Sequence, residues 1–347
     1  MAVTRDTSAI FPVASPWNTN PPYSGNFIPS VWSAKLNAKF YAASVYGDIA
    51  NTNWQGEISG MGDKIIINTA PTITVSAYTP SGALTGGTNL SYQVPTPDTQ
   101  EMIIDKGRYF AFQINDVLEY QAKPNLLDIF SNDAAEQMRI TVDSNVLYNT
   151  TVSTVAGFGP VAANRGLTAG AKSSSYVLGT PVAPVTLTAS NVLQKILEMA
   201  SVLDEQNVPE TDRYLVIDPY TRALLMQSNL AQAQFMGDAQ STVRNGKIGS
   251  IDRFTVYVSN QLPKIAAGAS TSWTSGDGSE ATIASAGTNL KSRAIIAGHK
   301  SAITFASQIT KMETVRNPTD FGDFIRSLNV YGFKVVKPES LVLLVAA

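Results

Sequence analysis

The sequence predicts an α+β fold, and three observations predict it. One helical periodicity runs for about 25 residues from Asn125, separate stretches alternate with period two, and no repeat of fixed spacing signals a solenoid or a propeller. Residues 1–30 hold Pro12, Pro16, Pro21, Pro22 and Pro29 among Ser, Thr and Asn. Prolines at that density fix φ and remove donors, so this part reads as an extended arm. From Val31, Trp32, Leu36, Phe40 and Ala43 recur at helical spacing beside Lys35 and Lys39, up to an expected break at Gly47. Residues 65–97 contain no charged side chain over 33 positions. Within them Ile73, Val75 and Ala77 alternate with Thr72, Thr74 and Ser76, a Gly- and Ser-rich centre spans 80–87, and a second β-prone run covers 89–94. The expectation is a long two-stranded excursion with a turn near its middle. An uncharged hairpin on its own is marginal in water and prone to aggregate, so it makes physical sense under a covering surface.

Phe110, Phe112 and Ile114 alternate through 108–117 and predict a strand. Asn125 with Asp128 resembles a capping box, and Leu127, Phe130, Ala134, Met138, Val142 and Asn145 continue it as a helix over about 125–150, on the order of 35 to 40 Å long. Residues 153–187, with Arg165 and Lys172 as their charges, read as loop and short strand. Ser190 is placed as the cap of a helix carrying Leu193, Ile196, Leu197, Ala200 and Leu203, which ends before Asn207-Val208-Pro209. Tyr214 to Ile217 reads as a buried strand, and Asp218-Pro219 as the N-cap and first residue of the next helix. Strands follow at 254–258, 294–297 and 302–305, around a Gly/Ser/Thr-rich insertion at 266–287. Two further β segments, 308–315 and 324–336, are hinged at Asn317-Pro318.

Composition removes several kinds of chemistry. There is no Cys, so disulfides, thiolate nucleophiles and Cys-based metal sites are excluded. His299 is the one imidazole, so any Ser-His-Asp triad has to pass through it, and no G-x-S-x-G elbow supplies a nucleophile. Its position at a strand end fits a hydrogen-bonded structural residue. Gly56, Gly60 and Gly62 precede Lys64 without the spacing of a phosphate loop, and Asp277 to Glu280 lacks the ligand spacing of a calcium loop. Carboxylates at i,i+3, namely Asp116 with Glu119, Asp133 with Glu136 and Asp320 with Asp323, are expected to pair with Lys or Arg. No cofactor motif is present, and the motifs give no enzyme. With 25 Lys+Arg against 27 Asp+Glu there is no bulk attraction to nucleic acid or anionic lipid. No apolar run approaches the roughly 18 residues of a membrane span, and the first residues lack the apolar core of a secretory signal, so no membrane partner is expected. Charged residues make up 15% of the chain, against roughly 25% in typical domains, so the surface is either sparsely solvated or largely covered by something else.

The succession of motifs carries a resemblance. The proline-rich arm leads to Phe27-Ile28-Pro29-Ser30-Val31-Trp32, and Gly60-Met61-Gly62-Asp63-Lys64 opens the hairpin. Asp105-Lys106-Gly107-Arg108-Tyr109-Phe110-Ala111-Phe112 precedes the long helix with its Asp133-Ala134-Ala135-Glu136-Gln137. Leu215-Val216-Ile217-Asp218-Pro219, Ala297-Gly298-His299-Lys300 and Tyr331-Gly332-Phe333-Lys334-Val335-Val336-Lys337-Pro338-Glu339 follow. In order and character these resemble the major capsid proteins of tailed double-stranded DNA bacteriophages, with the Hong Kong 97 capsid fold. The resemblance implies an N-terminal arm and short helix (1–50), an E-loop (56–107), a peripheral domain with a spine helix (108–187 and 306–328), and an axial domain (188–305 and 329–347).

It also implies a function: a structural protein, not an enzyme, that self-assembles through hexamers and pentamers into an icosahedral head around double-stranded DNA. Such a head is assembled in the host bacterial cytoplasm and found in the virion. The E-loop of one copy would lie across another, and the β segments near Met312 and Phe324 would meet around local three-fold axes. Candidate inter-subunit residues are Trp32, Ile73, Val75, Tyr78, Leu84, Tyr92, Met312, Phe324 and Arg326. Partners would include a portal protein, packaged DNA held without sequence-specific contacts and, optionally, a decoration protein. Some relatives begin with a cleaved scaffolding segment; the arm here starts almost at once, which implies a separate scaffolding protein. Others weld subunits through an E-loop lysine, but no lysine lies between Lys64 and Lys106, so a non-covalent shell is expected. The alternatives are an encapsulin-like compartment of the same fold and a β-rich hydrolase using His299.

Overall fold

The computed structural model describes residues 42, 44–54, 64–71, 73–78, 92–116, 126–152, 159–181, 183–228, 249–265, 272–273, 283–284, 292–318 and 321–347. The arm, Trp32 with most of its expected helix, Asn125 and the hairpin turn with Leu84 lie outside them.

Helix α1 (Tyr46–Ile49) is followed by β1 (Lys64–Thr69), β2 (Asp98–Ile103), β3 (Lys106–Asn115) and the long helix α2 (Leu126–Val152, 27 residues). Then come α3 (Val192–Glu205), β4 (Arg213–Ile217), α4 (Pro219–Gln227), β5 (Ser250–Ile251), β6 (Phe254–Val258), β7 (Lys264–Ile265), β8 (Ser272–Trp273) and β9 (Ile283–Ala284). The chain closes with β10 (Ser292–His299), β11 (Ile303–Arg316), β12 (Gly322–Val335) and β13 (Leu341–Ala346).

One sheet, in the order β13-β10-β4-β6-β5 with β7 beside β10, is covered on both faces. Leu215 and Ile217 of β4 face Ile196, Met199 and Leu203 of α3, while Tyr214 and Val216 face Val142 and Val146 of α2 and Phe305, Tyr331 and Phe333 of β11 and β12. Burial on both sides is why Tyr214 to Ile217 reads as a continuous apolar run. The β13 edge is closed by the preceding loop: Val345 N–H donates to the Leu178 carbonyl and Val185 N–H to the Val345 carbonyl, at 2.8 and 2.9 Å. A second sheet, β11-β12-β3, lays one face on α2, where Phe112 meets Phe130 edge-on at 5.9 Å. A β1–β2 ladder forms the hairpin root.

Local chemistry explains the boundaries. Asp218 caps α4 by accepting the Thr221 N–H at 3.1 Å, with Pro219 in the first turn. Helix α3 stops because Asn207 turns left-handed (φ 57°) and the Val208 and Asn207 N–H groups return to the Leu203 and Asp204 carbonyls.

Several expectations need correction. Ser190 is not the cap of α3. The N-cap position falls on Asn191, whose amide ties the preceding loop by accepting from Thr188 N–H and donating to the Thr186 carbonyl, while Ser190 Oγ pairs with Thr188 Oγ1. The chain is helical across Gly47 rather than broken there, because Asp143 receives the N–H groups at the start of α1. The segments expected at 302–305 and 308–315 form one strand, β11, which absorbs a register shift between Ile309 and Lys311 and so keeps its pairing with β12.

The hairpin ladder is shorter than its alternation suggested: residues 73–78 and 92–97 belong to no strand, and Ile73, Val75 and Ala77 are exposed together with Thr74 and Ser76. Among the described residues no helix is long and apolar enough to cross a membrane.

Candidate assembly surfaces

The described part of the hairpin is anchored at its root. At its root, Ile65, Ile67 and the fully buried Met102 pack with Ala306, Val336 and Trp54. Gln100 Nε2 donates to the Val336 carbonyl at 3.2 Å, and Lys334 Nζ to the Glu101 carbonyl at 2.9 Å. The backbone of β12 crosses so closely here that a Cβ on Gly332 would stand 2.6 Å from the Ile103 oxygen. Beyond Thr69 and Asp98 the two arms leave this core. Val75 is 93% exposed and Tyr92 90%, with Ile73, Tyr78 and Val94 also exposed. These apolar side chains have no charged neighbour within their own stretch. Exposed apolar groups concentrated in one projecting element mark an interaction surface.

A second surface is the face of the β11-β12-β3 sheet turned away from α2. In register, Leu328 stands opposite Tyr109, Arg326 opposite Ala111 and Glu313, and Phe324 opposite Gln113 and Val315. Tyr109, Leu328, Phe324 and Val315 are all exposed, while the intervening Ile325 and Ile114 are buried toward the helix. Arg326 donates to Glu313 at 2.7 Å across this face. At its tip Arg316 bonds both Asp116 and Asp323, and the Arg316 guanidinium holds the Asp116 carboxyl below its ordinary pKa. The adjoining Phe321 is 74% exposed.

The segment that enters the hairpin is tied to α2. Asp143, fully buried, accepts the Val45 and Tyr46 N–H groups on Oδ1 at 3.0 and 2.8 Å, and its Oδ2 has no hydrogen-bond partner among the described residues. Burial pushes its pKa up to about 6, against the opposing pull of those two N–H groups and of Arg139. Arg139 also donates to Ser44 Oγ at 3.0 Å and to Glu136. Asn51 then joins the edge of β11: its N–H donates to the Ile303 carbonyl and its carbonyl accepts from Phe305. No signal in the sequence connected Asp143 with a segment 98 positions away.

Of the candidate interface residues, the structure groups Ile73, Val75, Tyr78 and Tyr92 on the hairpin arms, and Phe324 with Arg326 on the free sheet face. Met312 lies in β11 opposite Ser327. Trp32 and Leu84 fall outside the described residues. Tyr109, Val94, Val315, Phe321 and Leu328 are exposed as well and lie outside that candidate set. Tyr109 was legible as the alternate of Phe110 and Phe112 in a period-two run.

Asp116 and Asp323 each pair with an arginine as expected, and it is the same one, Arg316; Glu136 pairs with Arg139. Asp323 lies in a strand, so its i,i+3 spacing from Asp320 does not put the two on one helix face; Glu119 and Asp320 lie outside the described residues. His299 sits at the end of β10, as expected. Its Nδ1 accepts the Ser301 N–H at 3.1 Å in the turn to β11, and desolvation lowers its pKa and favours the neutral ring. Among the described residues no group of three or more His, Asp or Glu could hold a metal ion.

A Mycobacterium phage Che8 structure is 22% identical, covering 92% of this chain and 97% of that one at a TM-score of 0.64. The capsid structure of cyanophage P-SCSP1u is 20% identical over 93% of each chain, also at 0.64. The mature capsid of bacteriophage PhiM1 is 14% identical, covering 95% of this chain and 99% of that one at 0.62. The fold shared with them is the Hong Kong 97-like capsid fold. No curated protein sequence matches the chain. The model of the family described as phage capsid protein matches residues 96–344, from the foot of the returning hairpin arm into the last strand. That match favours a phage shell over an encapsulin-like compartment, and the family is a structural one. This chain therefore belongs to the phage capsid protein family and is a structural major capsid protein of a phage shell.

Proposed function

We propose that copies of this chain close through hexamers and pentamers into an icosahedral head around double-stranded DNA, without covalent cross-links, the hairpin arms of each copy lying across a neighbour. The observation that carries this reading is the pair of exposed, charge-free arms on a firmly packed root: their apolar side chains have no core of their own to enter. The free face of the β11-β12-β3 sheet, with Phe324 and Arg326, is the second contact, meeting its counterparts around local three-folds. The arm and short helix take residues 1–50, the E-loop 56–107, the peripheral domain 108–187 with 306–328, and the axial domain 188–305 with 329–347. The strands β11 and β12 run through both of the last two.

Heterologous contacts of this kind close into rings, and rings into a shell. A near-neutral chain, with a formal net charge of −2, suits a container that must not grip DNA during packaging. A scaffolding protein, a portal and optionally a decoration protein complete the head, which forms in the host cytoplasm.

The test is to examine purified particles by electron microscopy and denaturing electrophoresis. The expected result is closed icosahedral shells that run as a single band at the mass of one chain. A ladder of covalent multimers contradicts the non-covalent shell, and a strongly basic inner surface contradicts the account of the container.

A further inference from the structure

The hairpin ladder breaks where prolines fall and resumes through a single side chain. Strands β1 and β2 pair from Lys64 opposite Ile103 to Thr69 opposite Asp98. Counted onward in the same register, Ala70 faces Pro97 and Pro71 faces Thr96, with Pro95 following at once. A proline has no N–H to give a ladder, and this cluster explains why the paired strands stop there. Past the break, the same count brings Thr74 opposite Gln93.

At that point the Gln93 amide stands in for backbone. Thr74 N–H donates to Gln93 Oε1 at 3.0 Å, and Gln93 Nε2 donates to the Thr74 carbonyl at 3.2 Å. Exchanging both bonds is what a hydrogen-bonded residue pair does in an antiparallel ladder. Here it happens across a side chain, with Thr74 and Gln93 at the positions the β1–β2 count puts opposite each other. Register matters because it decides which side chains of the two arms stand side by side: by the same count Ile73 is opposite Val94 and Val75 opposite Tyr92, and a slip of one residue would part them.

We infer that Gln93 is a positioning residue for assembly, holding the two uncharged arms in register and at fixed spacing so that Ile73, Val75, Tyr92 and Val94 meet a second copy of the chain together. This rests on the reading that the arms lie on a neighbour. The pair is exposed to solvent, so it adds little to the stability of one subunit. Its effect is to order the arms before docking, which lowers the entropy cost of binding.

The test compares the full-length wild type with Gln93→Ala and with Gln93→Asn, whose amide is one methylene short. Both variants are expected to keep the wild-type unfolding midpoint. Hydrogen exchange at Thr74 N–H in the unassembled chain should rise about three- to tenfold, and the concentration at which shells appear should rise by a similar factor. Gln93→Glu keeps an acceptor but regains a donor only when protonated, so its exchange rate relative to wild type should fall toward one below about pH 4.3. Equal Thr74 exchange in wild type and Gln93→Ala overturns the register pin. Faster exchange with an unchanged assembly threshold overturns the positioning role. A wild-type chain that forms no shells even when co-expressed with its scaffolding protein overturns the neighbour reading and the assembly role with it, while the exchange comparison still decides the pin.

Discussion

The root and the arms of one hairpin obey different rules. At the root, Ile65, Ile67 and Met102 are buried within the subunit, and the crossing at Gly332 leaves no space for a side chain. In the arms, side chains of the same apolar character, Ile73, Val75 and Tyr92, stand in solvent. Hydrophobicity does not separate the two regions. Location on or off the subunit's own core does, and that difference is the ground for the proposal that another copy completes the arms.

That contrast predicts where substitutions act. The largest effect on subunit stability belongs to the root: Met102→Ala should cost about 2 to 5 kcal/mol by removing a fully buried side chain, read as a lower thermal unfolding midpoint. An unchanged midpoint would break the comparison.

Next comes the tie between α1 and α2. The folded-state pKa of Asp143, about 6, lies above its ordinary 3.8, so its contribution to stability is fully present below about pH 3.8 and is lost as pH rises through about 6. The difference is on the order of 2 to 3 kcal/mol. Asp143→Asn cannot titrate, so the stability gap between wild type and variant should shift against the wild type from pH 4 to pH 7. Urea unfolding across that range checks it, and a constant gap contradicts it.

Arg326→Ala removes an exposed ion pair with Glu313 and should change subunit stability by less than about 1 kcal/mol. The smallest expected effect on the subunit is at the arms. Val75→Asp or Tyr92→Asp should move unfolding by no more than about 0.5 kcal/mol, yet suppress shell formation, since a charge would have to be buried at the contact. Shells forming normally from Val75→Asp would remove the arms from the interface.

Parts of this arrangement were legible because their signals are local. The succession Leu127, Phe130, Ala134, Met138 and Val142 is a helix in any context, and Asp218-Pro219 is a helix start in most. The alternation of Phe110, Phe112 and Ile114 predicted β3. Other parts depend on pairings that sequence neighbours do not encode. Asp143 looked like one more residue of a long helix until the fold set it against Val45 and Tyr46. The alternation at 73–77 suggested a paired strand, but what ends pairing is the set of prolines opposite and beside it, and their effect appears only once the β1–β2 register is known. Ser190 is not the cap because the N-cap position falls on Asn191, whose side chain binds the preceding loop instead of capping the helix.

The central claim is that the uncharged arms are completed by another copy. A cryo-electron microscopy reconstruction of the assembled shell tests it most directly. The account predicts that the side chains of Val75 and Tyr92 lie within about 4.5 Å of apolar atoms of a neighbouring subunit. Arms that remain in solvent on the finished shell, with Val75 and Tyr92 touching no other copy, would contradict it.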